Sequence, residues 1–159
     1  EKTATPEIRA YPSPEQGIFG MEQADANTLR SCESVSNPVS CELTGNMETE
    51  DGTDLVLSIH VEGIRKELKE ALLILNYEGE SAELYQDGRL VADSFYTGQS
   101  WEIGLKELAR EQEADLIVVI HPLKEDAGIY LEKWPVMKNH AACRLGKTET
   151  AAIIRLKLK

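Results

Sequence analysis

Carboxylates are the commonest groups in this chain that could do chemistry: 28 Asp and Glu stand against 17 Lys and Arg. Glycoside hydrolysis works with two carboxylates at a set separation, but in a chain this acidic some pair falls at such a separation by number alone, so no acid and nucleophile identify themselves. The densest group is METEDGTD, residues 47–54, which places Glu48, Glu50, Asp51 and Asp54 in one short stretch. Calcium takes about six to eight oxygen ligands, and an acidic loop can supply several of them. These four residues are therefore the candidate ligands of a structural calcium, although their spacing is not that of an EF-hand loop.

The remaining chemical groups are dispersed. His60, His121 and His140 lie far apart, without metal-ligand spacing and without a His-Glu-x-x-His motif. His60 is expected to point out of its strand or to satisfy a core hydrogen bond, and His121 stands at a strand end before Pro122. No Gly-x-Ser-x-Gly nucleophile elbow occurs. The cysteines are Cys32, Cys41 and Cys143. Their odd number does not fit a disulfide framework. If the compartment oxidises, Cys32 and Cys41 are the pair to close, worth about 2–3 kcal/mol on a chain-entropy account. Cys143 has no local partner that would activate a thiolate.

Aromatic rings offer a different chemistry, because the apolar face of a pyranose stacks on a flat ring while polar groups hold its hydroxyls. The candidates are Tyr85, Tyr96, Trp101, Tyr130 and Trp134. Trp101 alternates with Ile103 and Leu105 and is expected in the core. Tyr96 precedes the Thr97-Gly98 turn and is expected to be exposed; Trp134 precedes Pro135 in a loop. A sugar platform would then use Tyr96 and Trp134, with Arg89 and Asp93 as polar partners.

The elements that must position these groups are strands. In DLVLSIHV, Leu55, Leu57, Ile59 and Val61 share one face, the alternation of a half-buried strand. ALLILNY is a continuous apolar run, which fits a strand buried on both faces. Asp87-Gly88 supplies the positive φ angles of a two-residue hairpin turn between AELYQ and RLVADSFY. KELAREQEA is polar and helix-favouring and is expected to form one short surface helix. DLIVVIHPL is the strongest strand pattern, closed by Pro122, which has no donor for a ladder. GIYLEKWP is expected to add a short strand, and TETAAIIRLKLK a last one with Ile154, Leu156 and Leu158 on one face. With eight or nine short strands, turn signals between them and almost no helix, the fold class is all-β, an antiparallel β-sandwich or jelly roll with one short surface helix. Residues 1–27, broken by prolines and glycines, read as a linker or edge segment, and residues 28–159 as a single jelly-roll domain. AELYQDGRLVADSFYTGQSWEIGL, residues 82–105, is expected to be scaffold, a hairpin plus a third strand building one wall of the sandwich.

Composition narrows the function classes. The net charge of −11 disfavours nucleic acid, which needs a basic footprint, and anionic membrane surfaces as well. A spanning helix needs about 20 consecutive apolar residues, and the sequence has no such run, so membrane insertion is not expected. The 159 residues are too few for a barrel enzyme of about 250. Beginning at Glu1 rather than Met, the sequence reads as an excised domain or a mature protein without its leader.

LYQDGRLVADSFYTGQSWEIGLKEL followed by LIVVIHPLKEDAGIYLEKWP resembles the accessory jelly-roll module of bacterial β-galactosidases of glycoside hydrolase family 35, and more broadly the galactose-binding-domain-like modules of glycoside hydrolases. The resemblance covers roughly residues 53–135. It implies a non-catalytic ancillary domain, periplasmic or extracellular, whose partner is a neighbouring catalytic domain or a carbohydrate. Galactose-binding-like sandwiches often hold a structural calcium, which would fall to the acidic loop. The family's two catalytic glutamates belong to a separate barrel, and no residue here inherits their role. The alternative is a stand-alone cell-surface adhesion or protein-interaction module, with a true enzyme third.

Overall fold

Apolar alternation and close turns organise this chain into strands throughout the computed structural model, which describes residues 7–12, 19–21 and 39–155. In chain order the strands are β1 (Glu7–Pro12), β2 (Phe19–Met21), β3 (Ser40–Thr44), β4 (Leu55–Glu62), β5 (Glu70–Glu78) and β6 (Ser81–Gln86), then β7 (Arg89–Phe95), β8 (Trp101–Gly104), β9 (Ala114–His121), β10 (Leu123–Lys124), β11 (Ala141–Ala142) and β12 (Arg144–Arg155). One five-stranded sheet has the order β2-β1-β12-β5-β8, the other β3-β4-β9-β6-β7, and β10 pairs with β11. The pairings are antiparallel. Without the outermost β2 and β3, the order β1-β12-β5-β8 against β4-β9-β6-β7 is that of an eight-stranded jelly roll. Within residues 1–27, β1 and β2 lie at one end of the first sheet, β1 pairing with β12.

The core lies between the sheets. Leu55, Leu57, Ile59 and Val61 of β4, Leu116, Val118 and Ile120 of β9 and Leu84 of β6 form one cluster with Leu73 and Leu75 of β5 and Ile103 of β8. Burying each such side chain stabilises by about 1.5–3 kcal/mol. The continuous run of β5 is buried on both faces as its composition predicts: Leu73 and Leu75 enter this core, while Leu72 and Ile74 join a second cluster with Ala151 on the opposite face. Cys143 is a buried free thiol that donates to the Ile120 carbonyl at 3.2 Å. Its burial raises its pKa, so it packs rather than reacts. Cys41 is half-buried on β3, and burial raises its pKa too. Cys32, and with it the Cys32–Cys41 pairing, lies outside the described residues, as do Leu156 and Leu158.

Four expectations about elements need correction. KELAREQEA forms turns, and there is no helix among the described residues. Glu111 and Gln112 both have positive φ, 51° and 74°, and close a tight turn in which Arg110 and Glu113 exchange backbone hydrogen bonds of 2.8 and 3.0 Å. The preceding stretch is held by the sandwich: Leu105 is fully buried, and Gln86 Nε2 donates to the Leu108 carbonyl at 2.6 Å. GIYLEKWP is irregular, not a strand. The strands number twelve among the described residues, rather than eight or nine.

Finally, residues 82–105 do not build one wall. The β6–β7 hairpin turns at Asp87 and Gly88, whose φ values of 50° and 74° are those the Asp-Gly pair anticipates. However, β8 pairs with β5 in the opposite sheet. The Thr97-Gly98 turn, with Gly98 at φ 82°, therefore carries the chain from one sheet to the other. The β5–β6 connection crosses back in the same way. Its Gly79 sits so close to β9 that a Cβ would lie 2.6 Å from the His121 carbonyl oxygen.

Candidate functional site

Trp101 lies where its alternation places it, half-buried and packed against the core. Its ring meets Tyr77 at 6.3 Å and 70°, and Tyr77 in turn meets Tyr96 at 5.7 Å and 59°. Tyr96 is thus half-buried in an aromatic cluster rather than exposed at the turn. It lines a cleft of about 390 Å³ with Asn76, Glu78, Gln99, Val136 and Arg144. Trp134 is 39% exposed in the irregular stretch before Val136 and does not line this cleft.

Arg89 stands at the opposite end of β7, paired with Gln86 beside the hairpin turn. Seven residues of strand separate it from Tyr96, roughly 20 Å. Asp93 faces outward opposite Glu83, while Ala92 and Ser94 on either side of it turn inward. The four residues expected to form a platform are therefore not brought together. Strand alternation sends Asp93 to the outer face, and the chain's passage between sheets draws Tyr96 inward.

The acidic loop is also divided. Glu48 bonds Lys138 at 2.8 Å and Arg144 at 3.2 Å, and the Lys138 hydrogen bond, reinforced by Arg144, holds its pKa below the ordinary range. Glu50 lies 3.6 Å from Lys138. Asp51 accepts from the Thr53 hydroxyl at 2.6 Å and from the Thr53 N–H at 3.1 Å, which lowers its pKa. Asp54 reaches His121 Nδ1 at 2.9 Å. Glu48 and Glu50 share Lys138, Asp54 pairs with His121 and Asp51 is held in a local turn, so the four carboxylates do not converge on a common point.

What converges is the outer face of the sheet β3-β4-β9-β6-β7. Strand period two sends Val56, Ser58 and His60 of β4, Ile117, Val119 and His121 of β9, and Glu83 and Tyr85 of β6 to the same side. The ladder sets Ile117 between Ser58 and Tyr85, and Val119 between Val56 and Glu83. Tyr85 pairs onward with Leu90. The middle of the face is thus apolar and open, with Val56 57%, Leu90 53% and Ile117 45% exposed. Tyr85 Oη donates to Glu83 Oε2 at 2.8 Å, two residues back on the same face, so the ring lies along the strand. A cleft of about 340 Å³ opens here, lined by Tyr85 and Ile117 with Thr44, Ser58, His60 and Asp115.

Two histidine–carboxylate groups bracket this floor. At one end His60 Nδ1 lies 2.7 Å from Asp115 and Nε2 3.1 Å from Glu62. At the other, His121 Nδ1 lies 2.9 Å from Asp54 and Nε2 3.3 Å from Glu83. Hydrogen bonds to Asp115 and to Asp54, respectively, are the main reason each imidazole has a raised pKa. Sequence reasoning noted Tyr85 and both histidines but did not join them, since they are between 25 and 61 positions apart. The available signal was Ile117 and Val119, apolar residues on the face of β9 that alternation assigns to solvent.

Fold and face together define a jelly-roll β-sandwich with an open, mixed apolar and polar sheet surface. No protein-family model matches the chain, and no curated protein matches it.

Proposed function

We propose that this chain is a non-catalytic ancillary domain of a bacterial glycoside hydrolase, working in the periplasm or outside the cell, and that it binds carbohydrate on the outer face of β4, β9 and β6. The observation that carries this reading is the Tyr85–Ile117 floor with hydrogen-bonding groups at both ends. A pyranose ring has one apolar face and a rim of hydroxyls. A flat ring beside an aliphatic neighbour matches the first, and imidazole and carboxylate groups match the second. The resemblance of residues 53–135 to family 35 accessory modules supports the same reading and names a catalytic barrel as the neighbour.

A glycan-array screen of the chain, followed by titration calorimetry on the best glycan, tests this. A stacked ring contributes on the order of 1 kcal/mol beyond its burial, so Tyr85→Ala should weaken binding about tenfold while the melting temperature stays near that of the parent. Trp134 does not line this cleft, and Trp134→Ala should leave affinity unchanged. Failure to bind any glycan, or equal affinity in the Tyr85→Ala protein, overturns the reading.

A second reading, a protein-interaction module, draws on Phe95, 76% exposed at the end of β7, with Leu90 and Val91 exposed on the same strand. Exposed apolar side chains along an edge strand such as β7 suit a contact surface. Catalytic domain and partner protein are separated by the parent sequence: a flanking barrel favours the first.

A further inference from the structure

We propose that His60, Glu62 and Glu113 form a binding site for a divalent transition-metal ion of the zinc class. The inference does not rest on carbohydrate binding. One imidazole nitrogen and one oxygen from each glutamate all lie within 4.8 Å of one another. In a tetrahedral zinc shell with ligands about 2.0–2.2 Å from the ion, neighbouring ligand atoms stand roughly 3.4 Å apart, so rotations of two exposed carboxylates are what closes the shell.

The backbone explains why these groups meet. His60 and Glu62 are two apart on β4 and share its outer face. The ladder pairs His60 with Asp115 and Val61 with Ala114, so its continuation sets Glu113 across from Glu62. The tight turn at Glu111 and Gln112 directs Glu113 into this position, with Glu113 N–H donating to the Arg110 carbonyl at 3.0 Å.

Glu113 gives this group a third ligand that the similar His121 group lacks among the described residues, and Asp115 adds an outer carboxylate on the ring. Lying 2.7 Å from Nδ1, Asp115 accepts the proton on that nitrogen and orients the ring. Nε2, which faces Glu62 Oε1 at 3.1 Å, is then the ligating atom, and an ion bound there takes the place of its proton. A metal-bound histidine characteristically gives its other N–H to a carboxylate in this way. The imidazole selects against calcium, which takes oxygen ligands, and the donor set of one nitrogen and two carboxylate oxygens suits zinc or its first-row neighbours. An ion held here would tie β4 to the turn leading into β9.

Zinc chloride titrated into the chelator-treated chain by calorimetry is the direct test, with cobalt(II) absorption as a readout of tetrahedral or five-coordinate ligation. The expected result is one saturable site, lost in His60→Ala. Glu113→Gln and Asp115→Asn should each weaken it by about tenfold or more, the latter without removing a ligand. His140→Ala, an exposed histidine elsewhere, should bind as the parent does. Circular dichroism of the His60→Ala protein, whose altered side chain is half-buried on the outer face of β4, separates loss of the site from loss of fold. The proposal is overturned if no saturable binding is seen, or if zinc binds equally well to the His60→Ala or Glu113→Gln protein.

Discussion

Trp101 shows how a single residue can be read from its neighbours. Its alternation with Ile103 and Leu105 points to the core, and there it lies, its ring edge-on to Tyr77. Removing an aromatic ring from a core costs about 3–5 kcal/mol, and half-burial puts this site near the lower end. Trp101→Ala should therefore lower the melting temperature by about 6–12 °C, at about 2–4 °C per kcal/mol for a domain this size, and Trp101→Phe by clearly less. Calorimetric melting decides; an unchanged value in the alanine protein would mean that the ring does not serve the core.

His121 is the corresponding polar case. Its bonds to Asp54 and then Glu83 raise its folded pKa above the unfolded value near 6.5, so its contribution to stability is full below that value and fades as pH rises through the folded pKa. Glu83, lowered by Tyr85 first and His121 second, contributes in the opposite sense: its share is present above the carboxylate range and fades on acidification. The pair is therefore fully formed between these two ranges. His121→Gln should cost more stability at about pH 5.5 than at about pH 8, and a difference that stays constant between the two would refute the linkage.

Elements were legible where their periodicity was strong. The β4 and β9 alternations, the doubly buried run of β5 and the Asp87-Gly88 hairpin all follow from side-chain pattern and turn chemistry alone. Residues 106–114 were not, because helix propensity is a weak bias that the buried Leu105 and the Gln86–Leu108 bond override. Nor does pattern say which sheet a strand joins, so β8 reads as a neighbour of β7 although it pairs with β5. The candidate face was missed for the same reason: Tyr85, Ile117 and His60 come together only through the β4-β9-β6 order. The turn that replaces the helix is itself testable. Glu111 and Gln112 hold left-handed conformations that cost an ordinary residue about 1–2 kcal/mol and glycine little. Gln112→Gly keeps the backbone carbonyl that accepts from Ile64 N–H at 2.9 Å. It should raise stability by about 1 kcal/mol in urea unfolding, offset in part by greater freedom of the unfolded chain. A loss of stability would mean that the Gln112 side chain makes a larger contribution than its backbone strain costs.

At the scale of the molecule two electrostatic effects oppose each other, and magnitude decides between them. Surface ion pairs such as Lys138–Glu48 at 2.8 Å and Arg110–Asp87 at 2.6 Å hold parts of the sandwich together, but exposed pairs are worth only about 0–1 kcal/mol each and salt weakens them. Against them stands a net charge of −11 on 159 residues, whose mutual repulsion favours the expanded chain. The Debye length falls from about 30 Å at 0.01 M to about 8 Å at 0.15 M, which removes long-range repulsion across a domain while sparing contacts of about 3 Å. Repulsion is the longer-ranged term and should be screened more completely. Raising sodium chloride over this range should therefore raise the melting temperature by about 2–4 °C, the equivalent of about 1 kcal/mol. The rise should shrink as acidification toward about pH 5 begins to neutralise carboxylates and lowers the net charge. A melting temperature that falls with salt at neutral pH would show instead that the ion pairs outweigh the repulsion, and that the acidic surface is organised for attraction within the fold.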